Sequence, residues 1–268
     1  MGRHLGVGVT MKRIVVHVRR YGVAVVVLVG FLGSVELLRH LAILPISIAA
    51  PSEIYRTFLK DQEALWYHLQ PTLAAAAIGY GFAVAAALGM ATIAVLVRRA
   101  EGVVYNFAVV VYSIPLIAAA PILLVWFGPG GTVRIIIAAL AGFFPVLVGA
   151  IQGLRAVDPR AAELFHSLSA STFQQFRLLA LPSALPYVFA GLKIAAASAV
   201  LGALIAEWVG AEKGIGLMMA YALFSFNVAQ VWLTMFVSII SAILAYALVG
   251  LVERRIIYWE HIGHLQAD

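Results

Sequence analysis

Long stretches without a charged side chain are the feature that most limits how this chain can fold. Residues 69–97, 102–133, 135–154 and 214–252 contain no Asp, Glu, Lys or Arg. A helix of about 20 apolar residues crosses the hydrocarbon core of a bilayer, because all its backbone hydrogen bonds are then made within the segment. Since 63% of the residues are hydrophobic and only 11% are charged, we expect a membrane protein.

Two more spans complete a set of six. Residues 21–35 are apolar, and the stretch 178–206 is interrupted only by Lys193, which places a span at about 186–209. The sequence therefore predicts an all-α, polytopic membrane protein. We expect three parts: a cytoplasmic N-terminal segment at 1–20, a transmembrane domain at 21–259 and a cytoplasmic tail at 260–268.

The distribution of the basic residues predicts the orientation, because cytoplasmic loops carry an excess of Lys and Arg. With the N-terminus inside and six spans, 13 of the 18 basic residues lie on the cytoplasmic side. The five assigned to the outside are Arg39, Arg56, Lys60, Arg134 and Lys213. Both termini are thus predicted to be cytoplasmic, and the net charge of +6 requires no nucleic acid.

Two segments between spans have a pattern of their own. The outer one, 51–70, mixes apolar and charged residues and predicts an amphipathic helix at the membrane interface. The inner one, 155–185, contains Asp158-Pro159, which predicts a helix from there to about Leu168.

The second half of the inner segment predicts another helix. Ser169-Ala170-Ser171 interrupts the first, and either Ser171-x-x-Gln174 or Thr172-x-x-Gln175 supplies a capping box. This helix would meet Pro182 and Pro186 at the start of the next span. We expect the two short helices to form a compact, rigid helix–bend–helix unit, although an ordinary connecting loop is the simpler interpretation.

Prolines and one acid identify candidates for a pathway through the membrane. Pro115 and Pro121 should bend the third span, since each removes a backbone donor. Tyr112, Ser113 and Trp126 lie on or near that bent span, where they either line a pathway or pack against other helices.

Glu207 and a glycine pair are the remaining features inside the spans. Glu207, near the end of the fifth span, either belongs to the pathway or lies at the interface beside Trp208, and we favour the interface. Gly149-x-x-x-Gly153 is typical of close packing between helices.

No pattern indicates chemistry carried out by this chain itself. Cysteine is absent, the histidines show no metal-ligand spacing, and there is no G-x-x-x-x-G-K-[ST] phosphate loop. We therefore expect no catalytic residue, no metal site and no cofactor in this chain, and any energy source must be another chain.

The inner segment resembles the EAA loop of ABC importer permeases. Glu163, Ser169, Leu179, Leu181 and Pro182 have the spacing of that loop, with Ser169 in place of the family's glycine. The two alanines after the glutamate are replaced by Leu-Phe.

An ordered series of motifs extends the resemblance over residues 44–259, and it is similar to the nitrate/sulfonate/taurine branch of these permeases. The motifs are Leu44-Pro45, Pro51-Ser52-Glu53, Ile114-Pro115, Trp126-Phe127-Gly128, Phe143-Phe144-Pro145, Leu181-Pro182, Gly191-Leu192-Lys193, Ala206-Glu207, Gly214-Ile215-Gly216 and Glu253-Arg254-Arg255.

The resemblance implies the type I ABC importer permease fold, in a bacterial inner membrane. It further implies a second permease copy, two cytoplasmic ATPase subunits that bind ATP and Mg, an extracytoplasmic binding protein and contact with membrane lipid. The coupling loop would be 158–186, with Asp158, Glu163, Leu168, Ser169, Ala170, Leu179, Leu181 and Pro182 as its functional residues.

The solute implied is a sulfonate-, taurine- or nitrate-like anion or a pyrimidine-type vitamin precursor, and Ala206-Glu207-Trp208 slightly favours the precursor. The alternative function is a self-sufficient secondary transporter or channel. That class requires ionisable groups within the membrane or a pair of inverted broken helices.

Overall fold

The structure is a computed structural model that describes residues 22–258, apart from 24, 28, 98 and 99. The regular elements of this part of the chain are all helical, which confirms the predicted all-α class. The predicted cytoplasmic segment 1–20 and tail 260–268 lie outside the described residues. The helices are α1 (29–40), α2 (Pro51–Lys60), α3 (Gln62–Leu96), α4 (Ala100–Tyr112), α5 (Leu116–Phe127), α6 (Gly131–Arg155), α7 (Pro159–Ser167), α8 (Thr172–Gln175), α9 (Leu181–Gly210), α10 (Ile215–Phe224) and α11 (Val228–Ile256).

Four continuous helical segments are long and apolar enough to cross a membrane. They are Gln62–Ala94, Gly131–Arg155, Thr172–Gly210 and Val228–Ile256. A bent pair, α4 and α5, makes a fifth candidate if the two helices are counted as one span. The first predicted span, 21–35, falls partly outside the described residues.

The predicted bend in the third span is present, and it lies next to Pro115. Helices α4 and α5 meet at 86°, and Pro115 is the N-cap residue of α5. A proline disfavours helical geometry in the residue before it, and α4 accordingly ends at Tyr112, ahead of Ile114 and Pro115. Helix α5 continues through Pro121 from Leu116 to Phe127, so a bend at that proline stays a prediction.

The outer segment 51–70 is shorter than predicted. An amphipathic helix is present as α2, but residues 62–70 already belong to the long helix α3. Apolar burial explains the difference: Leu65 packs in a buried cluster with Ile215, Met218 and Leu233. Because Leu65 is buried in this cluster, the first turns of α3 pack against the protein and do not lie at the membrane interface as part of the amphipathic helix.

Helices α6 and α9 approach each other so closely that side chains are excluded between them. A Cβ atom added to Gly149 would lie 2.6 Å from the carbonyl oxygen of Tyr187, and one added to Gly153 would lie 2.7 Å from that of Ala184. The predicted close-packing role of this glycine pair is confirmed, and its partner is α9. Small residues permit such contacts in membranes, where van der Waals packing drives helix association.

We expect Gly149→Ala to destabilise the protein by about 1–3 kcal/mol, because the added methyl group must displace the backbone of α9. Gly89→Ala in α3 is the matched control, since a Cβ there has no atom within 4 Å. Thermal unfolding in detergent measures both. Equal midpoints for the two variants would contradict the close contact.

Candidate functional site

The inner segment begins with a capped helix, as predicted. Asp158 accepts a hydrogen bond from the backbone N–H of Arg160 at 2.9 Å, and Pro159 occupies the first helical position. Helix α7 ends at Ser167, with Leu168 as its C-cap residue. Contacts between residues that are close in sequence therefore fix the start of this short helix.

A tight bend follows α7. Ser169 has φ of 53°, in the left-handed region that few residues other than glycine adopt. Its N–H donates to His166 O at 3.0 Å, and that of Ala170 donates to Phe165 O at 3.0 Å. These two bonds are those of a Schellman motif, in which glycine is the usual left-handed residue. Ser169 therefore takes a conformation that favours glycine.

One of the two predicted capping boxes forms after the bend. The N–H of Ser171 donates to Gln174 Oε1 at 2.8 Å, and the N–H of Gln174 donates to Ser171 Oγ at 3.3 Å. The alternative at Thr172 and Gln175 does not form, because the Gln175 amide donates to Ala170 O.

The second helix is not a separate unit, which corrects the prediction. After α8 the chain passes through a π-helical turn, Phe176–Ala180, directly into α9. The helical path runs from Thr172 to Gly210 without a break. Pro182 and Pro186 do not end it, because Pro182 lies in the first turn of α9 and the helix accommodates Pro186.

The inner segment exposes several large apolar side chains, which together we call the loop patch. It consists of the exposed side chains of Leu164, Leu168, Phe173, Phe176 and Leu178. Leu168 is the most exposed of them, at 70%. Glu163 is also exposed, on α7, whereas Leu179 and Pro182 are half-buried at the start of the long helix. The structure thus brings the predicted loop residues into one helix–bend–helix unit.

The predicted pathway residues on α4 and α5 do not form a single cluster. Tyr112 stacks on Phe144 with 4.4 Å between ring centroids, and the Ser113 hydroxyl donates to Val109 O. Trp126 is exposed at the other end of α5. Tyr112 therefore has a packing contact, and the pathway role of these residues stays a prediction.

Glu207 lies in a different environment from the one we favoured. Its side chain is 0% exposed, so the interface beside Trp208 is the wrong location. The carboxylate accepts hydrogen bonds from the Thr72 hydroxyl at 2.8 and 3.0 Å and from the Gly216 N–H at 2.9 Å. Arg134 Nη1 lies 3.6 Å from Glu207 Oε1. Buried charges require such partners.

Sequence reasoning missed the partners of Glu207. Thr72 and Arg134 come from α3 and α6, and they are distant from Glu207 in sequence. The usable signal is that an acid within a span pairs with another polar group. Arg134, at the outer end of the preceding span, was the basic residue at the right depth.

Within the described residues, no group of three or more His, Cys, Asp or Glu side chains could hold a metal ion.

Comparison with known proteins agrees with this architecture. Residues 81–258 match the family described as binding-protein-dependent transport system inner membrane component. The formylaminopyrimidine transport permease ThiX of Halalkalibacterium halodurans is 31% identical over 216 residues, which cover 80% of this chain and 86% of that protein. The taurine transport permease TauC of Escherichia coli is 30% identical over 164 residues, which cover 59% and 58%.

Solved structures show the same fold at lower identity. The crystal structure of an amino acid ABC transporter superposes with a TM-score of 0.62 at 18% identity, covering 74% of this chain and 97% of the other.

The family match defines the class of this protein, a membrane transport component. The chain belongs to the family of binding-protein-dependent transport system inner membrane components and is a permease subunit of an ABC importer.

Proposed function

We propose that this permease is driven by two separate ATPase subunits that dock on the loop patch. The observation that carries this proposal is an apolar surface on a short helical segment between two spans. Contiguous exposed apolar side chains mark interaction sites. Because the sequence has no phosphate loop, ATP and Mg would be bound by the docked subunits.

The same proposal includes the orientation of the chain in the membrane and its other partners. The inner segment and both termini lie in the cytoplasm, in agreement with the positive-inside distribution of Lys and Arg. A second copy of the permease completes the pathway, and a binding protein delivers the solute on the outer side. The family's description as binding-protein-dependent supports the last point.

The solute we propose is a small pyrimidine-type heterocycle. Support comes from the relative that transports formylaminopyrimidine, which matches this chain at 31% identity over 80% of its length. The taurine permease matches a shorter part, 59% of the chain. A sulfonate-like anion is the second candidate, since an aliphatic sulfonates transport permease of Escherichia coli matches 82% of the chain at the lower identity of 28%.

Reconstitution of the complete transporter tests this function. We expect ATP-dependent uptake of labelled formylaminopyrimidine into proteoliposomes that contain the permease and its ATPase subunits, with the binding protein outside. The permease alone should transport nothing. Uptake of taurine in its place would change the solute assignment only.

Uptake by the permease alone, driven by a proton or sodium gradient, would contradict the proposal. It would establish the rival class, a self-sufficient secondary transporter.

Two loop substitutions test the coupling role. We expect Glu163→Ala to lower uptake at least about tenfold, because an exposed carboxylate on α7 is lost as a charged hydrogen-bond acceptor for a docked subunit. Ser169→Gly should keep uptake and stabilise the bend by about 1 kcal/mol, since glycine adopts the left-handed conformation without a steric penalty.

The measurements are uptake, ATP hydrolysis and recovery of ATPase subunits on affinity purification. Parental values for Glu163→Ala would remove this residue from the coupling role. Loss of uptake in Ser169→Gly would show that the left-handed bend is not what position 169 contributes.

A further inference from the structure

The start of α10 is held by side chains of two other helices. The N–H groups of Gly214, Ile215 and Gly216 donate to His68 Nδ1 at 3.0 Å, Thr72 Oγ1 at 3.0 Å and Glu207 Oε2 at 2.9 Å, respectively. The first N–H groups of a helix have no partner inside that helix. Here three consecutive groups are all satisfied from α3 and α9.

Glu207 is the centre of this arrangement. Its carboxylate also accepts from the hydroxyl of Thr72, so one carboxylate joins α3, α9 and α10. Arg134 of α6 approaches the same carboxylate and donates to Lys213 O at 2.8 Å. Four helices therefore meet at a single buried group. We call Glu207, Thr72, His68 and Arg134 the outer latch.

Glycine at two positions lets the backbone reach the carboxylate. A Cβ atom on Gly214 would collide with the Glu207 carboxyl group, and one on Gly216 would lie 2.6 Å from Leu204 O and 2.9 Å from Glu207 Cβ. Gly214 also has φ of 141°, a conformation that side chains oppose. The backbone of α10 thus lies directly against the carboxylate of Glu207.

The helix that carries Glu207 also begins at the loop patch. The continuous segment Thr172–Gly210 has 39 residues, which corresponds to about 58 Å of helix. Phe173 and Phe176 lie near one end of it, and Glu207 lies near the other. Displacement of the loop patch along or about this axis acts directly on the outer latch.

The far end of α10 faces outward from the protein. Tyr221, Phe224 and Phe226 are exposed there, and Phe226, with φ of 55°, is 89% exposed. We call these three residues the outer turn. Because α10 is only ten residues long, a rigid hold at its start fixes the position of the outer turn.

We propose that Glu207 is a positioning residue that fixes α10 to α9, so that movement of the loop patch is transmitted to the outer turn. This inference rests on the proposed function, in which the loop patch receives force from ATPase subunits. Glu207 then acts through α10 and does not contact the solute. Its complete burial among protein groups agrees with this role.

Two substitutions weaken the outer latch in different ways. Glu207→Gln keeps the size of the side chain but turns one acceptor into a donor, which then faces either the Gly216 N–H or the Thr72 hydroxyl. Thr72→Val keeps the shape and leaves the Ile215 N–H without its acceptor. Thr92→Val is the matched control, because the hydroxyl of Thr92 bonds only within α3, to Leu88 O, at an exposed position.

Hydrogen exchange and coupled uptake test the proposal on the assembled transporter in lipid nanodiscs and proteoliposomes. Loss of one charged or buried hydrogen bond should accelerate exchange of the amides of residues 214–216 at least about tenfold in Glu207→Gln and Thr72→Val. The number of ATP molecules hydrolysed per solute transported should rise by a similar factor. Thr92→Val should match the parent in both measurements.

The solute concentration for half-maximal uptake distinguishes a positioning residue from one that contacts the solute. We expect it to be unchanged in both variants. A shifted value with parental exchange at 214–216 would make Glu207 a pathway residue and overturn the proposal. Parental coupling with accelerated exchange would also overturn it, since the latch would then not transmit movement.

Two further outcomes keep the test decisive. If Glu207→Gln fails to assemble, Thr72→Val decides by the same measurements. If the parental transporter shows no ATP-dependent uptake, the proposed function fails, and the exchange measurement still establishes or refutes the hold on α10.

Discussion

Direct backbone contact between α3, α6 and α9 is the constraint on which the rest of this structure depends. In lipid, apolar side chains gain little by leaving one apolar environment for another, so helices associate where small residues let their backbones approach. Gly79 lies against Ile135 O of α6, and Gly149 lies against Tyr187 O of α9. These contacts couple the three helices, so that a shift of one requires a shift of the others.

Polar contacts attach two further helices, α10 and α11, to this unit. At one end the buried carboxylate of Glu207 holds α10. Towards the other end, Lys193 of α9 forms a 2.7 Å ion pair with Glu253 of α11. Both pairs involve α9, which also continues into the inner segment through Phe176–Ala180. Helix α9 is thus the axis that connects the loop patch, the spans and the outer turn.

The sequence predicted features that depend on neighbouring residues and missed those that depend on distant ones. Asp158 and Ser171 cap helices through residues two or three positions away, so their roles could be predicted from the sequence. The length of α3 could not be predicted, because it depends on packing of Leu65 against α10 and α11. The latch was missed for the same reason: Thr72 and Glu207 are separated by 135 positions.

Site-specific photo-crosslinking at Leu168 tests the central claim most directly, namely that the inner segment is where an ATPase subunit docks. Leu168 lies at the end of α7 in the loop patch, and Phe226, in the outer turn, is a comparison site that is still more exposed. In intact cells, a photoreactive residue at 168 should crosslink to an ATPase subunit, and one at 226 should not. Crosslinks to the ATPase from 226, or their absence from 168 in an actively transporting complex, would contradict the account.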